Sequence, residues 1–98
     1  GENPLTKINK LYETKLLGEA TYQQRDVYII ELQNIFYTQR VYIDQEYLSI
    51  KKIDIFNGSN IKVATVQYND FKLFAQEVWM PTQIIVNDSI GQQVLGIS

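Results

Sequence analysis

Acidic side chains are the main residues here that could do chemistry, because the sequence contains no histidine and no cysteine. That absence excludes thiol catalysis, a Ser-His-Asp triad, and zinc or haem sites built on those ligands. Asp44 and Glu46 flank one turn, but no third oxygen ligand follows them at calcium-loop spacing. The five glycines are scattered and form no phosphate-binding loop. We therefore expect no enzymatic activity, no metal and no cofactor.

Aromatic side chains are the second informative group, with seven Tyr, four Phe and one Trp. They fit two interpretations: core packing with cross-strand pairing, or a concave surface that holds an acyl chain or a hydrophobic element of a partner. Trp79 and Met80, beside Pro81, suit the mouth of such a cavity, and Trp79 fits the core equally well. The predicted binding surface comprises Tyr42, Tyr47, Phe56, Tyr68, Phe71, Phe74, Trp79 and Met80.

The composition is that of one folded domain spanning residues 1–98, with 45% hydrophobic and 20% charged residues. The net charge is −2, and Lys51-Lys52 is the only basic pair, so we expect no nucleic-acid partner. No signal peptide is visible, and no apolar run has the roughly 18 to 20 residues of a membrane-spanning helix. The chain starts without Met and ends just after an apolar run, which predicts a fragment of a longer protein.

The elements that must position these side chains are mostly β-strands. Asn3-Pro4 is typical of a helix start and predicts a helix over residues 4–13. Runs rich in Val, Ile, Tyr, Phe and Thr, separated by turn residues such as Asn57-Gly58, predict the strands. These strands span residues 15–22, 27–33, 36–44, 48–56, 61–68, 82–87 and 92–97, with a looser segment over 71–77. Pro81 is expected at a strand start or on an edge.

The alternation of side chains predicts how the faces are covered. Both faces of the strand over 27–33 are partly apolar, so we expect the helix on one face and a second layer or a ligand on the other. In the strand over 48–56 the alternation changes phase near Lys51-Lys52. Either a bulge shifts the register or both faces are half-buried, and we favour the second. The predicted fold is mainly β (α+β): a strongly curved antiparallel meander of about seven strands with one N-terminal helix.

Motifs within residues 16–87 resemble those of the LolA-like, outer membrane lipoprotein-sorting family, which includes regulators of the RseB type. The resemblance lies in Ile43-Asp44, Leu48, Ile50, Phe56, Asn57-Gly58, Tyr68, Asp70-Phe71, Trp79, Pro81 and Thr82. It implies a half-barrel with an apolar concave face, located outside the cytoplasmic membrane. Carriers of this family hold lipoprotein acyl chains there, and other members bind proteins. Compared with the carriers, we expect this short chain to lack the N-terminal elements that line their cavity. In its composition it is similar to germination lipoproteins of spore-forming bacteria.

These observations predict a non-catalytic, extracytoplasmic binding domain that acts through protein–protein contacts. Within the germination group, such contacts would license a cell-wall enzyme. The alternative is a carrier of lipid or lipoprotein acyl chains in the concave face. Free edge strands also predict a homodimer, with strand exchange as one route to it.

Overall fold

Seven β-strands form one antiparallel sheet in sequence order in the computed structural model, which describes residues 12–98. The strands are β1 (Glu13–Tyr22), β2 (Arg25–Gln33), β3 (Tyr37–Asp44), β4 (Ile50–Asn57), β5 (Lys62–Phe74), β6 (Val78–Asp88) and β7 (Gln93–Ile97). The predicted meander of seven strands is confirmed. Residues 12–98 contain no helix, so this part of the chain is all-β rather than α+β. The helix predicted over 4–13 lies outside the described residues, except at Tyr12 and at Glu13, where β1 begins.

Four of the six connections are fixed by an Asn or Asp side chain at or just after the end of the preceding strand. In each, one side-chain oxygen accepts hydrogen bonds from two backbone N–H groups of the turn, at distances of 2.8–3.1 Å. Short Asn and Asp side chains favour this arrangement because they reach their own backbone two to four residues on. The four residues are Asn34, Asp44, Asn57 and Asp88.

The other two connections contain residues with positive φ and no glycine. Gln23 and Gln24 (φ 50° and 65°) join β1 to β2, and Ala75 and Gln76 (φ 52° and 59°) begin the turn between β5 and β6. Two-residue hairpin turns need such angles, which glycine and asparagine adopt at the lowest cost. The prediction of a looser segment over 71–77 is wrong for residues 71–74, because β5 continues to Phe74; residues 75–77 form the turn.

A β-bulge explains the change of alternation in β4. Tyr42 of β3 faces Lys52, whereas the next residue, Ile43, faces Ile50, so Lys51 is the inserted residue. Both alternatives for this strand hold together: the bulge is present, and residues on both faces of β4 are half-buried. Because of the insertion, Ile50 and Ile53 lie on the same face of the sheet.

The sheet is open rather than strongly curled, and the predicted half-barrel curvature is wrong for residues 12–98. Register shifts interrupt four of the six ladders, and the β2–β3 and β5–β6 ladders have none. A modest bend is nevertheless present. Gln67 Nε2 in β5 donates a hydrogen bond to Tyr22 Oη in β1 at 3.1 Å, although a flat sheet would separate these strands by about 19 Å.

Two neighbouring rows of side chains cross all seven strands, one on each face of the sheet. Directly paired residues share a face, and the next residue along each strand lies on the other face. The aliphatic row consists of Leu16, Ile30, Val41, Ile53, Val66, Val86 and Leu95. The polar row consists of Lys15, Glu31, Arg40, Asp54, Thr65, Asn87 and Gln93.

The core of the described residues is thin because they form a single layer. Val27 (0% exposed) and Val41 (6%) are the only buried apolar side chains of residues 12–98. Two buried residues are acidic, Asp44 (2%) and Asp54 (5%). A sheet must bury an apolar face against another layer to be stable, and residues 12–98 supply no second layer.

Candidate binding surface

The aliphatic row is the centre of a broad apolar face. Its seven residues span six strand spacings, or about 29 Å. Further apolar residues lie on the same face in the neighbouring rows. We call the whole set the aliphatic face: the aliphatic row together with Tyr28, Leu32, Ile43, Ile50, Ile55, Ala64, Tyr68, Ile84 and Ile97.

Exposure along the aliphatic row rises from its centre to both ends. Val41 is buried, the residues of β2, β4, β5 and β6 are half-buried, and Leu16 and Leu95 are 63% and 52% exposed. Side chains within one layer shield each other laterally but leave their tips open. Contiguous apolar surfaces of this extent mark sites of interaction with proteins, ligands or membranes.

The polar row differs because its side chains bond to each other. Arg40 Nε lies 3.4 Å from Glu31 Oε2 in an ion pair. Asp54 accepts a hydrogen bond from Thr65 Oγ1 at 2.9 Å and lies 3.5 Å from the Lys52 ammonium. In residues 12–98, every buried side-chain nitrogen or oxygen has a hydrogen-bond partner. The buried polar groups of this face therefore need no partner from outside residues 12–98.

An ion-pair cluster stands at the end of the sheet where β1 turns into β2 and β3 ends. Arg25 donates to Asp44 through Nε at 2.8 Å and Nη2 at 3.1 Å, and also to Glu46 at 3.1 Å. The hydrogen bond from Arg25, assisted by the backbone N–H groups of Tyr47 and Glu46, lowers the pKa of Asp44 to about 2. The same two carboxylates raise the pKa of Arg25 above its ordinary value. Arg25 and Asp44 are therefore both ionised at neutral pH.

Aromatic side chains adjoin this cluster. The Tyr47 and Trp79 ring centroids are 5.0 Å apart, Arg25 lies 4.8 Å from the Tyr47 centroid, and the Lys51 ammonium lies 4.6 Å from that of Phe71. The chain's own cations thus already occupy two of the aromatic faces. Together these contacts attach the end of the β5–β6 hairpin to the β3–β4 turn.

The hollow between these groups is small. It encloses about 180 Å³ and is lined by Arg25, Asp44, Tyr47, Ser49, Lys51, Phe71 and Trp79. Ligand pockets usually measure about 300–1,000 Å³. The hollow has room for a small group, and not for the acyl chains of a lipoprotein.

The structure does not unite the eight predicted surface residues into one site. Tyr47, Phe71 and Trp79 meet at the hollow, and Phe74 and Met80 are exposed on the same hairpin. Tyr42 lies on the polar face, 6.0 Å from Tyr22, with the Lys52 ammonium 4.3 Å from its ring centroid. Phe56 and Tyr68 lie away from both groups: the Arg40 guanidinium lies 4.8 Å from the centroid of the Phe56 ring, and Tyr68 lies on the aliphatic face. The binding role of all eight remains a prediction.

Sequence reasoning missed the aliphatic row as a unit. Its members come from seven different strands, and only the register of all six ladders places them side by side. The available signal was the alternation within single strands, which correctly placed Val41 and Ile43 opposite Arg40 and Tyr42. Residues 12–98 contain no group of three acidic, His or Cys side chains suited to a metal ion, and no helix of a length and hydropathy that could span a membrane.

The comparison with protein families gives one match, to a family described as "Uncharacterized protein", over residues 5–94. The chain belongs to this family. The comparison with curated proteins gave no match. The fold, however, has relatives of known structure.

Three solved structures share the fold at 14–23% sequence identity. A domain from Vibrio parahaemolyticus, described as an outer membrane lipoprotein-sorting protein, is 14% identical (TM-score 0.75), with 84% of this chain and 37% of that chain covered. A DUF1329 family protein from Desulfovibrio piger is 18% identical (TM-score 0.73), covering 84% and 36%. A LolA superfamily protein from Nitrosomonas europaea is 23% identical (TM-score 0.67), covering 79% and 37%.

These likenesses show that the chain has a LolA-like fold of the lipoprotein-sorting type. The chain spans little more than a third of the length of these three proteins. None of the three is described as a germination lipoprotein, so the narrower resemblance to that group has no support here.

Proposed function

We propose that the chain is a non-catalytic, extracytoplasmic binding domain that holds a protein partner against its aliphatic face. The observation that carries the proposal is the aliphatic row, which crosses all seven strands without a polar residue. In the polar row beside it, the buried polar side chains already have hydrogen-bond or ion-pair partners within residues 12–98. The location outside the cytoplasmic membrane is inferred from the likeness to lipoprotein-sorting domains.

The shape of this face favours a protein over a lipid. A layer of helix or sheet covers a broad, open apolar surface and shields many side chains at once, as the second layer of a domain does. Acyl chains are better protected from water in an enclosed cavity, whereas the aliphatic face is open and the aromatic hollow is too small for them. The licensing of a cell-wall enzyme has no observation in its favour and forms no part of the proposal.

A carrier of lipoprotein acyl chains is the second candidate. The likeness to a lipoprotein-sorting domain and to a LolA superfamily protein is the observation in its favour. In that case the acyl chains would lie on the aliphatic face and not among the aromatic residues of the hollow. The two candidates therefore share a surface and differ in what occupies it.

Two matched variants test the surface. Val86→Asp puts a carboxylate in the aliphatic row, and Asn87→Asp puts one at the next residue, in the polar row of the same strand. Both positions are half-buried. The tagged wild type and both variants are used to capture partners from a native envelope extract, with quantitative mass spectrometry as the readout and a thermal melt to verify folding.

We expect the wild type to capture one defined protein. Val86→Asp should capture at least about tenfold less of it, because an unpaired charge at an apolar contact costs about 1.4 kcal/mol or more. Asn87→Asp should capture as much as the wild type. Equal capture by both variants would contradict the proposal. Native mass spectrometry without delipidation separates the two candidates. A bound mass of a few hundred daltons that leaves on activation, and is absent from Val86→Asp, would replace the protein partner with a lipid.

A further inference from the structure

The connections between strands lie at alternate ends of the sheet, because each strand of the meander runs opposite to the one before it. At one end are three connections that we call the apolar turns, over residues 34–36, 58–61 and 89–92. At the other end, the connections span residues 23–24, 45–49 and 75–77. The apolar turns contain no charged side chain, whereas the connections at the other end contain Glu46 and Glu77. The two ends of the sheet therefore differ in polarity.

Large apolar side chains project from every apolar turn. Ile35 and Phe36 in the first turn are 87% and 66% exposed. Ile61 and Ile90 in the other two turns are 58% and 81% exposed. Within the three connections at the other end, Leu48 is the only large apolar side chain of comparable exposure, at 69%. A single exposed apolar residue is ordinary on a protein surface, but one in each of three neighbouring turns marks a site of interaction.

The backbone of the apolar turns is largely hydrogen-bonded within each turn. Asn34, Asn57 and Asp88 each accept hydrogen bonds from two backbone N–H groups, at 2.8–3.1 Å. In every turn, one of these two donors belongs to a projecting apolar residue. Further backbone hydrogen bonds of 2.9–3.1 Å close the same turns. A backbone group without a partner is costly away from water, so these bonds suit the turns to a less polar medium.

We propose that the apolar turns insert into the interfacial layer of a lipid bilayer. Consecutive apolar turns are two strand spacings apart, about 10 Å, so their side chains form separate projections over about 19 Å rather than one patch. A fluid lipid surface closes around separate projections, whereas a protein partner would need a matching pocket for each of them. Phenylalanine and large aliphatic side chains are those that interfacial segments bury at the boundary of headgroups and acyl chains.

The charges beside these turns indicate how the contact depends on the lipid. Lys62 and Asp88 directly flank the apolar turns and have opposite signs. The charge of the headgroups should therefore contribute little, and burial of apolar surface should dominate. In this orientation the aliphatic face stays accessible to its own partner, because the side chains of a strand stand roughly perpendicular to the sheet.

Co-sedimentation with large unilamellar vesicles tests this contact, using phosphatidylcholine alone and an equal mixture with phosphatidylglycerol. The wild type should bind both at millimolar lipid, with little change between low and high salt. Ile35→Asn, Ile61→Asn and Ile90→Asn combined should lower the partition coefficient at least about tenfold, because three apolar side chains lose their favourable transfer from water. Leu48→Asn is the matched control at the other end, where a φ of 57° suits asparagine. No binding by the wild type, or an equal loss in the control, would overturn the proposal.

Fluorescence identifies the inserted end directly. A Phe36→Trp reporter in a Trp79→Phe background should shift to the blue and be quenched by dibrominated phosphatidylcholine. Trp79 of the wild type, near the start of β6 at the other end, should remain unquenched. Val86→Asp, on the aliphatic face, should bind vesicles as the wild type does, and thermal melts verify that every variant is folded. Quenching of Trp79 instead of the reporter, or loss of binding in Val86→Asp, would move the lipid contact to another surface and overturn the proposal.

Discussion

The aliphatic and polar rows cross the same seven strands, one residue apart in six of them and two apart in the bulged β7, yet they place opposite demands on their surroundings. In the polar row, Glu31 is paired with Arg40, and Asp54 with Thr65 and Lys52, all from this chain. In the aliphatic row, the tips of the side chains face outward with nothing from residues 12–98 above them. Polar side chains can form hydrogen bonds with neighbours in the same sheet, whereas apolar side chains are removed from water only when a second layer packs against them. The difference indicates which face leaves apolar side chains uncovered by residues 12–98.

The two rows also differ in what their buried members contribute. Full burial of a valine such as Val41 contributes about 1.5–3 kcal/mol to the free energy of folding. Burial of a carboxylate such as Asp54 costs free energy unless hydrogen bonds and a cation offset the loss of water. Replacing a buried residue of the aliphatic row by a polar one should therefore lower the free energy of unfolding strongly. Removing a hydrogen-bond partner in the polar row should lower it less.

The largest expected effect is that of Val41→Asp, which puts an unpaired carboxylate at the buried centre of the aliphatic row. We expect the free energy of unfolding to fall by about 3 kcal/mol or more, a large part of the stability of a domain this size. Urea denaturation, monitored by the fluorescence of Trp79, measures this free energy of unfolding. Thr38→Asp, half-buried on the polar face of the same strand, should cost less than about 1 kcal/mol. Equal losses would remove the distinction between the two faces.

The next effect concerns acid stability. The pKa of Asp44 is about 2 in the folded state, against an ordinary 3.8. The unfolded chain therefore takes up this proton first, and the stabilisation by ionised Asp44 is complete above about pH 5 and is lost as the pH falls towards 2. The loss should be about 2 kcal/mol.

Urea denaturation of the wild type and of Asp44→Asn between neutral pH and pH 2 measures this loss. Asn keeps an oxygen for the turn N–H groups but cannot lose a charge, so its acid decline should be shallower by that amount. An identical decline in both proteins would show that other carboxylates, including those of the polar row, control acid stability.

The smallest effect sharpens the description of the polar row. Thr65→Val keeps the shape of the side chain and removes the hydroxyl that donates to Asp54 at 2.9 Å. We expect a loss of about 1 kcal/mol in urea denaturation. Thr38→Val on the same face should be close to neutral, because β-branched side chains suit strands equally. If Thr65→Val is also neutral, the row is not held together by this bond.

The sequence allowed the strand order and the alternation within single strands to be predicted, because both depend on local residue types. Val41 and Ile43 lie opposite Arg40 and Tyr42 as expected. The β5–β6 turn was missed because Ala75 and Gln76 adopt positive φ without the residues that usually announce it. The open shape was missed because curvature depends on bulges distributed over all the strands, and such bulges have no fixed residue type.

The candidate site was less predictable than the fold because it depends on pairing between strands. Tyr47 and Trp79 are 32 positions apart in the sequence, and the length of the β5–β6 hairpin brings their rings within 5.0 Å. The aliphatic row needs the register of six ladders at once. The aromatic residues that the composition singled out do not form one continuous face, and their binding role remains a prediction.

The side-chain caps at the turns have a consequence for how the chain folds. Within residues 12–98, each strand pairs only with its neighbours in sequence. Four of the reversals are fixed through local bonds to Asn34, Asp44, Asn57 and Asp88. The loop that must close to form each ladder is therefore short, and isolated hairpins form within about 1–10 μs. Assembly can begin at any of these reversals and spread outward in both directions, so the chain should fold quickly for an all-β protein.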